Sequence, residues 1–160
     1  MEDFVKVQVS GFAQVNAPYG PTPVLLLEDD MERVLVMLVG DAEASSIAAA
    51  VRGFQLPVPN THDFMMRVLN GVSVKVKRGE IYDLQSNRFL ARIILESGGN
   101  EVEVDGRPSD IIALTVRAGA DIYVAENVMK EASIEKSALL KETEESAHKD
   151  SGEENEEGEN

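Results

Sequence analysis

The sequence predicts an α+β domain with a largely antiparallel or mixed sheet, two main helices and one short helix. Three observations predict it. Several short segments alternate apolar and polar residues. Two longer apolar segments open on Asp41 and Pro108 and close on Gly53 and Gly119. The order strand, strand, strand, helix then occurs twice along the chain.

Val5, Val7 and Val9 alternate with Lys6, Gln8 and Ser10, the period of a half-buried strand. A connection through Pro18, Gly20 and Pro21 leads to a second strand over Val24–Leu27, and Asp29-Asp30 makes an acidic turn. The unbroken apolar run Val34–Val39 predicts a strand covered on both faces. Asp41 is placed to N-cap a helix through Val51, which Gly53 ends. Between the halves, Asn60 or Thr61 caps a short helix bearing Phe64, Met65, Val68 and Leu69 and ending at Gly71. His62 and Asp63 then fall in its first turn.

In the second half Val72, Val74 and Val76 alternate with Ser73, Lys75 and Lys77. Ser86-Asn87 turns into a strand over Phe89–Leu95, and Gly98-Gly99-Asn100 turns into another over Glu101–Asp105. Pro108 suits the first position of a helix, where its missing N–H has no partner to lose. Gly119 ends that helix and Ile122–Val124 reads as a closing strand. A shift of 65 residues lays Ile47, Ala48, Val51 and Arg52 on Ile112, Ala113, Val116 and Arg117, which suggests a duplicated β-β-β-α unit.

The formal charge of −14 is unevenly spread. Residues 131–160 hold eleven acids and three bases, leaving eighteen acids and twelve bases for residues 1–130. Residues 1–130 read as the domain and 131–160 as an acidic tail, with a helical start over Ile134–Glu145 and disorder from about Ser146. An acidic body repels a phosphate backbone unless a local basic patch or bridging cations intervene. The absence of cysteine excludes a disulfide scaffold, a Cys-ligated metal and a thiol nucleophile. No apolar run reaches the roughly 18–20 residues of a membrane span, and Met1-Glu2-Asp3-Phe4 starts acidic where a signal peptide starts basic. The chain therefore reads as soluble and cytoplasmic. A Walker phosphate loop, a dinucleotide fingerprint, a nucleophile elbow and a His-Glu-x-x-His motif are all missing.

Three polar clusters carry the candidate chemistry. In Gly40-Asp41-Ala42-Glu43-Ala44, two carboxylates at a strand-to-helix junction can share Mg²⁺ or Mn²⁺; the structural alternative is helix capping. In Thr61-His62-Asp63, the histidine sits at the positive end of a helix dipole, which favours the uncharged imidazole needed by a base or ligand. There the alternative is a packing histidine beside a capping aspartate. The third cluster spans Glu101 to Asp110. Its glutamates fit a ladder of opposite charges with Lys75 and Lys77. Asp105, Arg107, Ser109 and Asp110 crowd a strand-to-helix corner whose backbone N–H groups can hold a phosphate, with Arg107 as a bidentate clamp. A structural Arg107–Asp pair fits that corner equally well.

Together the three clusters resemble the bifunctional nuclease domain family, from about Val5 to Val124. The resemblance is carried by Gly40-Asp41-Ala42-Glu43-Ala44 with Ile47-Ala48, by Thr61-His62-Asp63, by Val104-Asp105-Gly106-Arg107-Pro108-Ser109-Asp110 with Ile112-Ala113-Leu114, and by Ile122-Tyr123-Val124. The sequence departs from the family pattern at Gly106 and Ile111, where alanine is usual, and at Asn60, where leucine is common. The resemblance implies a compact, dimeric α+β protein that cuts DNA and RNA. Its matching polar positions are Asp41, Glu43, His62, Asp63, Asp105, Arg107, Ser109 and Asp110, and among them His62, Asp63, Arg107, Ser109 and Asp110 are the candidate catalytic residues. Asp41, Glu43, Asp105 and Asp110 are the candidate ligands for Mg²⁺ or Mn²⁺.

Two functions follow. In a metal-assisted phosphodiesterase the carboxylates hold the cation, His62 activates water or completes the metal shell, and Arg107 stabilises the charge developing on phosphate. That scheme requires His62 and Asp110 to lie close together. In a non-catalytic homodimeric interaction protein the same acids are caps, Arg107 and Asp110 form a structural pair, and apolar segments such as Ile111–Val116 meet across a symmetric interface.

Overall fold

The computed structural model describes residues 3–150, with the side chains of residues 149 and 150 left aside. The first half is an antiparallel meander of β1 (Phe4–Ala17), β2 (Gly20–Glu28) and β3 (Arg33–Leu38), followed by α1 (Asp41–Val51). After α2 (Thr61–Gly71) a second meander of β4 (Lys75–Gln85), β5 (Arg88–Ser97) and β6 (Asn100–Gly106) leads into α3 (Pro108–Arg117). Then come β7 (Asp121–Ala125), α4 (Glu126–Ala132), β8 (Ile134–Glu135) and α5 (Lys136–Asp150). The strands form one mixed sheet in the order β6-β5-β4-β7-β1-β2-β3-β8. β7 lies between the meanders, parallel to β4 and antiparallel to β1. The fold is therefore α+β, and the β-β-β-α order recurs as an order of elements.

Local chemistry sets the element ends. A two-residue turn at Ser86-Asn87 joins β4 to β5, both residues having positive φ (50° and 61°), as the tightest hairpins require. Gly53 and Gly119 take φ +66° just past α1 and α3, where the left-handed conformation closes a helix and a side chain would be strained. At α1 the N-cap is Gly40, with Asp41 inside the first turn, so Asp41 does not cap. The Glu43 carboxylate folds back over the Gly40 α-carbon into space that a Cβ would need.

Several expectations change on contact with tertiary structure. Val72 and Val74 lie in the exit from α2, and the strand begins only at Lys75, because Ser73 turns the chain with φ +59°. β4 instead continues through Arg78–Gln85, where two irregularities in its pairing with β5 interrupt strict alternation. Val34 and Leu35 are buried as expected, but Leu38 is 68% exposed at the strand's end. α5 continues as helix through Ser146–Asp150, where the sequence predicts disorder; residues 151–160 lie outside the described residues.

α3 sits at the centre of the molecule. It packs on β4, β5 and β7 and against α1 and α2, and Ile111, Ile112, Ala113, Leu114 and Thr115 are all buried. This overturns the idea that Ile111–Val116 meets a second copy, since nearly all of that segment is interior. Close approach of α3 to β4 requires Gly79: a Cβ there would overlap the Thr115 hydroxyl and lie 3.0 Å from Ile111 Cγ2. Ile47 and Ile112, equivalent under the 65-residue shift, are both fully buried, and α1 and α3 pack together. Among the described residues no helix is long and apolar enough to cross a membrane.

Candidate functional site

The N-terminal turns of three helices meet at one corner. Gly40 opens α1 and places Glu43 on its third residue; Asn60 opens α2 and places His62 and Asp63 on its second and third. Arg107 is the N-cap of α3, followed by Pro108, Ser109 and Asp110. Ala42, Glu43, Ser46, Asn60, Thr61, His62, Arg107 and Asp110 line a small cleft of about 210 Å³ at this corner.

A continuous polar chain crosses the cleft. Arg107 donates from Nε to Asp110 Oδ2 at 2.8 Å and from Nη2 to Asp110 Oδ1 at 3.2 Å, and the same Nη2 lies 3.1 Å from Glu43 Oε1. His62 Nε2 is 2.8 Å from Asp110 Oδ1, and His62 Nδ1 is 2.6 Å from Ser46 Oγ. Ser46 Oγ also accepts from Asn60 Nδ2 at 3.1 Å and from Arg117 Nη2 at 3.0 Å. Two donors therefore occupy both lone pairs of that hydroxyl, and its one hydrogen is left to point at His62 Nδ1. By this count Nδ1 accepts and the ring hydrogen sits on Nε2, aimed at Asp110. The imidazole thus holds the Asp110 carboxylate in place with one nitrogen while the other is anchored in the interior.

The electrostatics follow from the contacts. Burial pushes the Asp110 carboxyl upward, but hydrogen bonds from Arg107 and then His62 outweigh it and hold it below its ordinary 3.8. Arg107 is held charged above its ordinary range by Asp110 first, with Glu43 adding to it. Its side chain is nevertheless 65% exposed. Asp63 plays a different part. It closes a reciprocal capping box with Asn60 and accepts from Arg117 Nε at 2.9 Å. Arg117, then the Asn60 backbone N–H, hold its pKa below 3.8.

The structure thus brings His62, Arg107, Asp110 and Glu43 together, with Asp63 linked to His62 through Arg117 and then Ser46. It does not bring in the rest of the predicted set. Asp41 is exposed on the first turn of α1 and lines neither this cleft nor its larger neighbour. Asp105 is exposed on β6 and accepts from the Tyr82 hydroxyl at 3.0 Å. Ser109 is buried and borders the larger cleft instead. Asp41, Glu43, Asp105 and Asp110 therefore do not fit as one metal shell. Among the described residues no three His, Asp or Glu side chains are grouped to hold an ion, and the Arg107 guanidinium already lies between Glu43 and Asp110.

Two site residues escape sequence reasoning, Ser46 and Arg117. Ser46 sits one helical turn after Glu43 and Arg117 at the far end of α3, and only tertiary packing turns both toward His62. Of the expected charge ladder the Lys77 rung is present, across the intervening β5, and Lys75 lies opposite Glu96 instead. Lys77 reaches Glu101 at 2.7 Å, while Arg92 on the intervening strand bonds Glu80 at 2.9 Å and approaches Glu103 at 3.5 Å.

A buried α3 that presents Arg107 and Asp110 to a histidine on α2 and a glutamate on α1 defines an α+β protein with a polar corner where three helices begin. Residues 24–137 match the bifunctional nuclease domain. An uncharacterised protein of Mycobacterium tuberculosis is 33% identical over 129 residues, covering 81% of this chain and 76% of that protein. Bifunctional nuclease 1 of Oryza sativa subsp. japonica is 26% identical over 104 residues, 63% of this chain and 31% of the rice protein. Bifunctional nuclease 2 of the same plant is 27% identical over 107 residues, 65% of this chain and 33% of its own length. The chain belongs to the bifunctional nuclease domain family. The matched span begins at Val24, in β2, and continues past Val124 into α5.

Proposed function

We propose that this protein hydrolyses phosphodiester bonds in nucleic acid at the corner formed by Glu43, His62, Arg107 and Asp110. The observation that carries the reading is convergence: residues from three separate parts of the sequence meet where three helix N-termini point into one cleft. Helix N-termini favour anions, and a guanidinium offers two parallel donors to phosphate oxygens. The family's rice members carry nuclease in their names, which supports the same chemistry.

On this reading Arg107 exchanges its contact with Glu43 for a phosphate oxygen and stabilises the charge that builds on phosphorus. Glu43, released from Arg107, takes the proton of an attacking water. The new P–O bond forms as the opposite ester P–O bond breaks, and the leaving alkoxide takes a proton from solvent. His62 and Asp110 act by holding Arg107 in line. The test is cleavage of plasmid DNA and single-stranded RNA by highly purified protein, with Mg²⁺, with Mn²⁺ and with chelator. Folded His62→Ala and Asp110→Asn proteins run beside it. Cutting by wild type and not by the folded variants supports the reading; equal cutting by all three places the activity elsewhere.

One observation favours a second reading, a homodimeric interaction protein. Phe64, Val68 and Val72 lie four residues apart on or just past α2 and are 62%, 47% and 65% exposed, and Phe54 and Val58 in the preceding loop are exposed as well. Exposed apolar side chains in such numbers on one helix suit a symmetric contact. A dimer by light scattering that Phe64→Glu converts to monomer supports this surface, while a wild-type monomer at micromolar concentration removes it.

A further inference from the structure

Beside the Arg107 corner lies a larger cleft of about 990 Å³, near the upper end of roughly 300–1,000 Å³ for ligand sites. It runs between the end of β3 and the start of β5, with the β6–α3 corner closing one end. Its floor is apolar, with Met37, Val39 and Ala91 all buried. Leu38 stands 68% exposed in one wall and the partly buried Phe89 ring lies in the other. Tyr82 is a fixed part of the lining, its hydroxyl bound to Asp105 and its ring covered by Arg92 at 4.6 Å. Arg107 lines both clefts and so marks their junction.

We propose that this cleft is a nucleobase subsite, seating an unpaired nucleotide of a single-stranded nucleic acid next to the phosphate at Arg107. The inference rests on the nuclease reading for the position of that phosphate. Two features select this occupant. The body is acidic, yet two of the three charged residues lining the cleft, Arg88 and Arg107, are cations, with Asp105 the third. An apolar and aromatic lining that also carries two arginines suits a base with its phosphates, since every base offers a flat face to stack or pack. Bases in a duplex are paired and stacked on one another, so the cleft admits a base only from a single strand or one swung out of the stack.

The experiment measures binding separately from cutting. A fluorescein-labelled, phosphorothioate-protected oligothymidylate is titrated with the full chain by anisotropy, beside its duplex and beside a strand with abasic positions. Leu38→Glu and Arg88→Glu are the variants, both exposed and outside the Arg107 network; Phe89→Ala is added with a melting curve, because that ring also packs on the core. The single strand is expected to bind at least about tenfold tighter than the duplex, and removing bases or introducing either glutamate is expected to weaken it by about tenfold. Equal binding of duplex and single strand, abasic binding as tight as the parent, or unchanged affinity in both glutamate variants would each overturn the proposal. Cutting of unprotected strand with wild-type KM in those variants would also overturn it while leaving the nuclease reading intact. Base-dependent binding with no cutting retains the subsite and removes the nuclease reading.

Discussion

Arg117 is the residue whose loss tests how the corner is built. Its side chain is 9% exposed and reaches four acceptors: Asp63 Oδ1 at 2.9 Å, Ala113 O at 3.1 Å, and Ser46 O and Oγ at 3.2 and 3.0 Å. It therefore ties α1, α2 and α3 at one point. Removing one partner of a buried ion pair costs about 3–5 kcal/mol, because the other is left uncompensated. Asp63, however, is 33% exposed and water can reach its freed oxygen, so Arg117→Ala is expected to cost about 2–3 kcal/mol. At a urea m-value of about 1–3 kcal/mol/M, the unfolding midpoint falls by roughly 0.7–3 M. Arg117→Lys loses most of the same amount, since an ammonium cannot fork to two helices at once. A histidine ¹⁵N spectrum supplies the second readout: with one donor removed, Ser46 Oγ is no longer constrained and the Nε2–H tautomer of His62 becomes less populated. A loss below about 0.5 kcal/mol with an unchanged spectrum would refute this account of the corner.

Three further outcomes are expected. Gly79→Ala forces a methyl against Thr115 and Ile111 and costs about 1–3 kcal/mol of unfolding free energy, while a melting temperature at or above wild type contradicts the close packing of α3 on β4. A Cβ on Gly106 would lie 3.1 Å from Ile111 Cδ1, so the two departures from the family pattern compensate each other. Gly106→Ala with Ile111→Ala should then cost about 1 kcal/mol less than the two single changes together, and strict additivity in urea titrations argues against the pairing. Asp63 and Asp110 both have folded pKa values below their unfolded 3.8, so the stability they add is present above that value and disappears as pH falls through the folded values. Wild type should lose more stability than Arg117→Ala between about pH 5 and pH 2; parallel curves would contradict the depressed Asp63 carboxyl.

Much of this molecule is legible in its sequence because local rules and tertiary demands agree. The turns at Ser86-Asn87 and Gly98-Gly99, the glycines that end α1 and α3, and Pro108 at the start of α3 all follow from backbone preferences no distant contact overrides. His62 and Asp110 are likewise visible as residues of helix first turns, and their meeting at 2.8 Å follows once α2 packs on α3. The metal set is the instructive departure. Three acids in first helical turns and one at a strand end look alike in sequence, but only Glu43 and Asp110 face Arg107, while Asp41 points to solvent and Asp105 belongs to Tyr82. Ser46 and Arg117 are invisible for the opposite reason. Each is an ordinary helical residue, and its role comes only from the crossing of three helices. α4 and β8 are short elements whose order comes from contacts such as the bidentate Arg33–Glu126 pair, at 2.8 and 2.9 Å, and not from any pattern of their own.

The most direct measurement is the rate of phosphodiester cleavage by Arg107→Ala. Its side chain is largely exposed and leaves no buried cavity, but Glu43 and Asp110 lose the cation they share, so the variant should fold with a loss of about 1–2 kcal/mol. If Arg107 meets the phosphate in the transition state, kcat falls at least about a hundredfold in this folded variant. A folded Arg107→Ala protein that cuts nucleic acid at the wild-type rate would contradict the assignment of the corner as the site of chemistry.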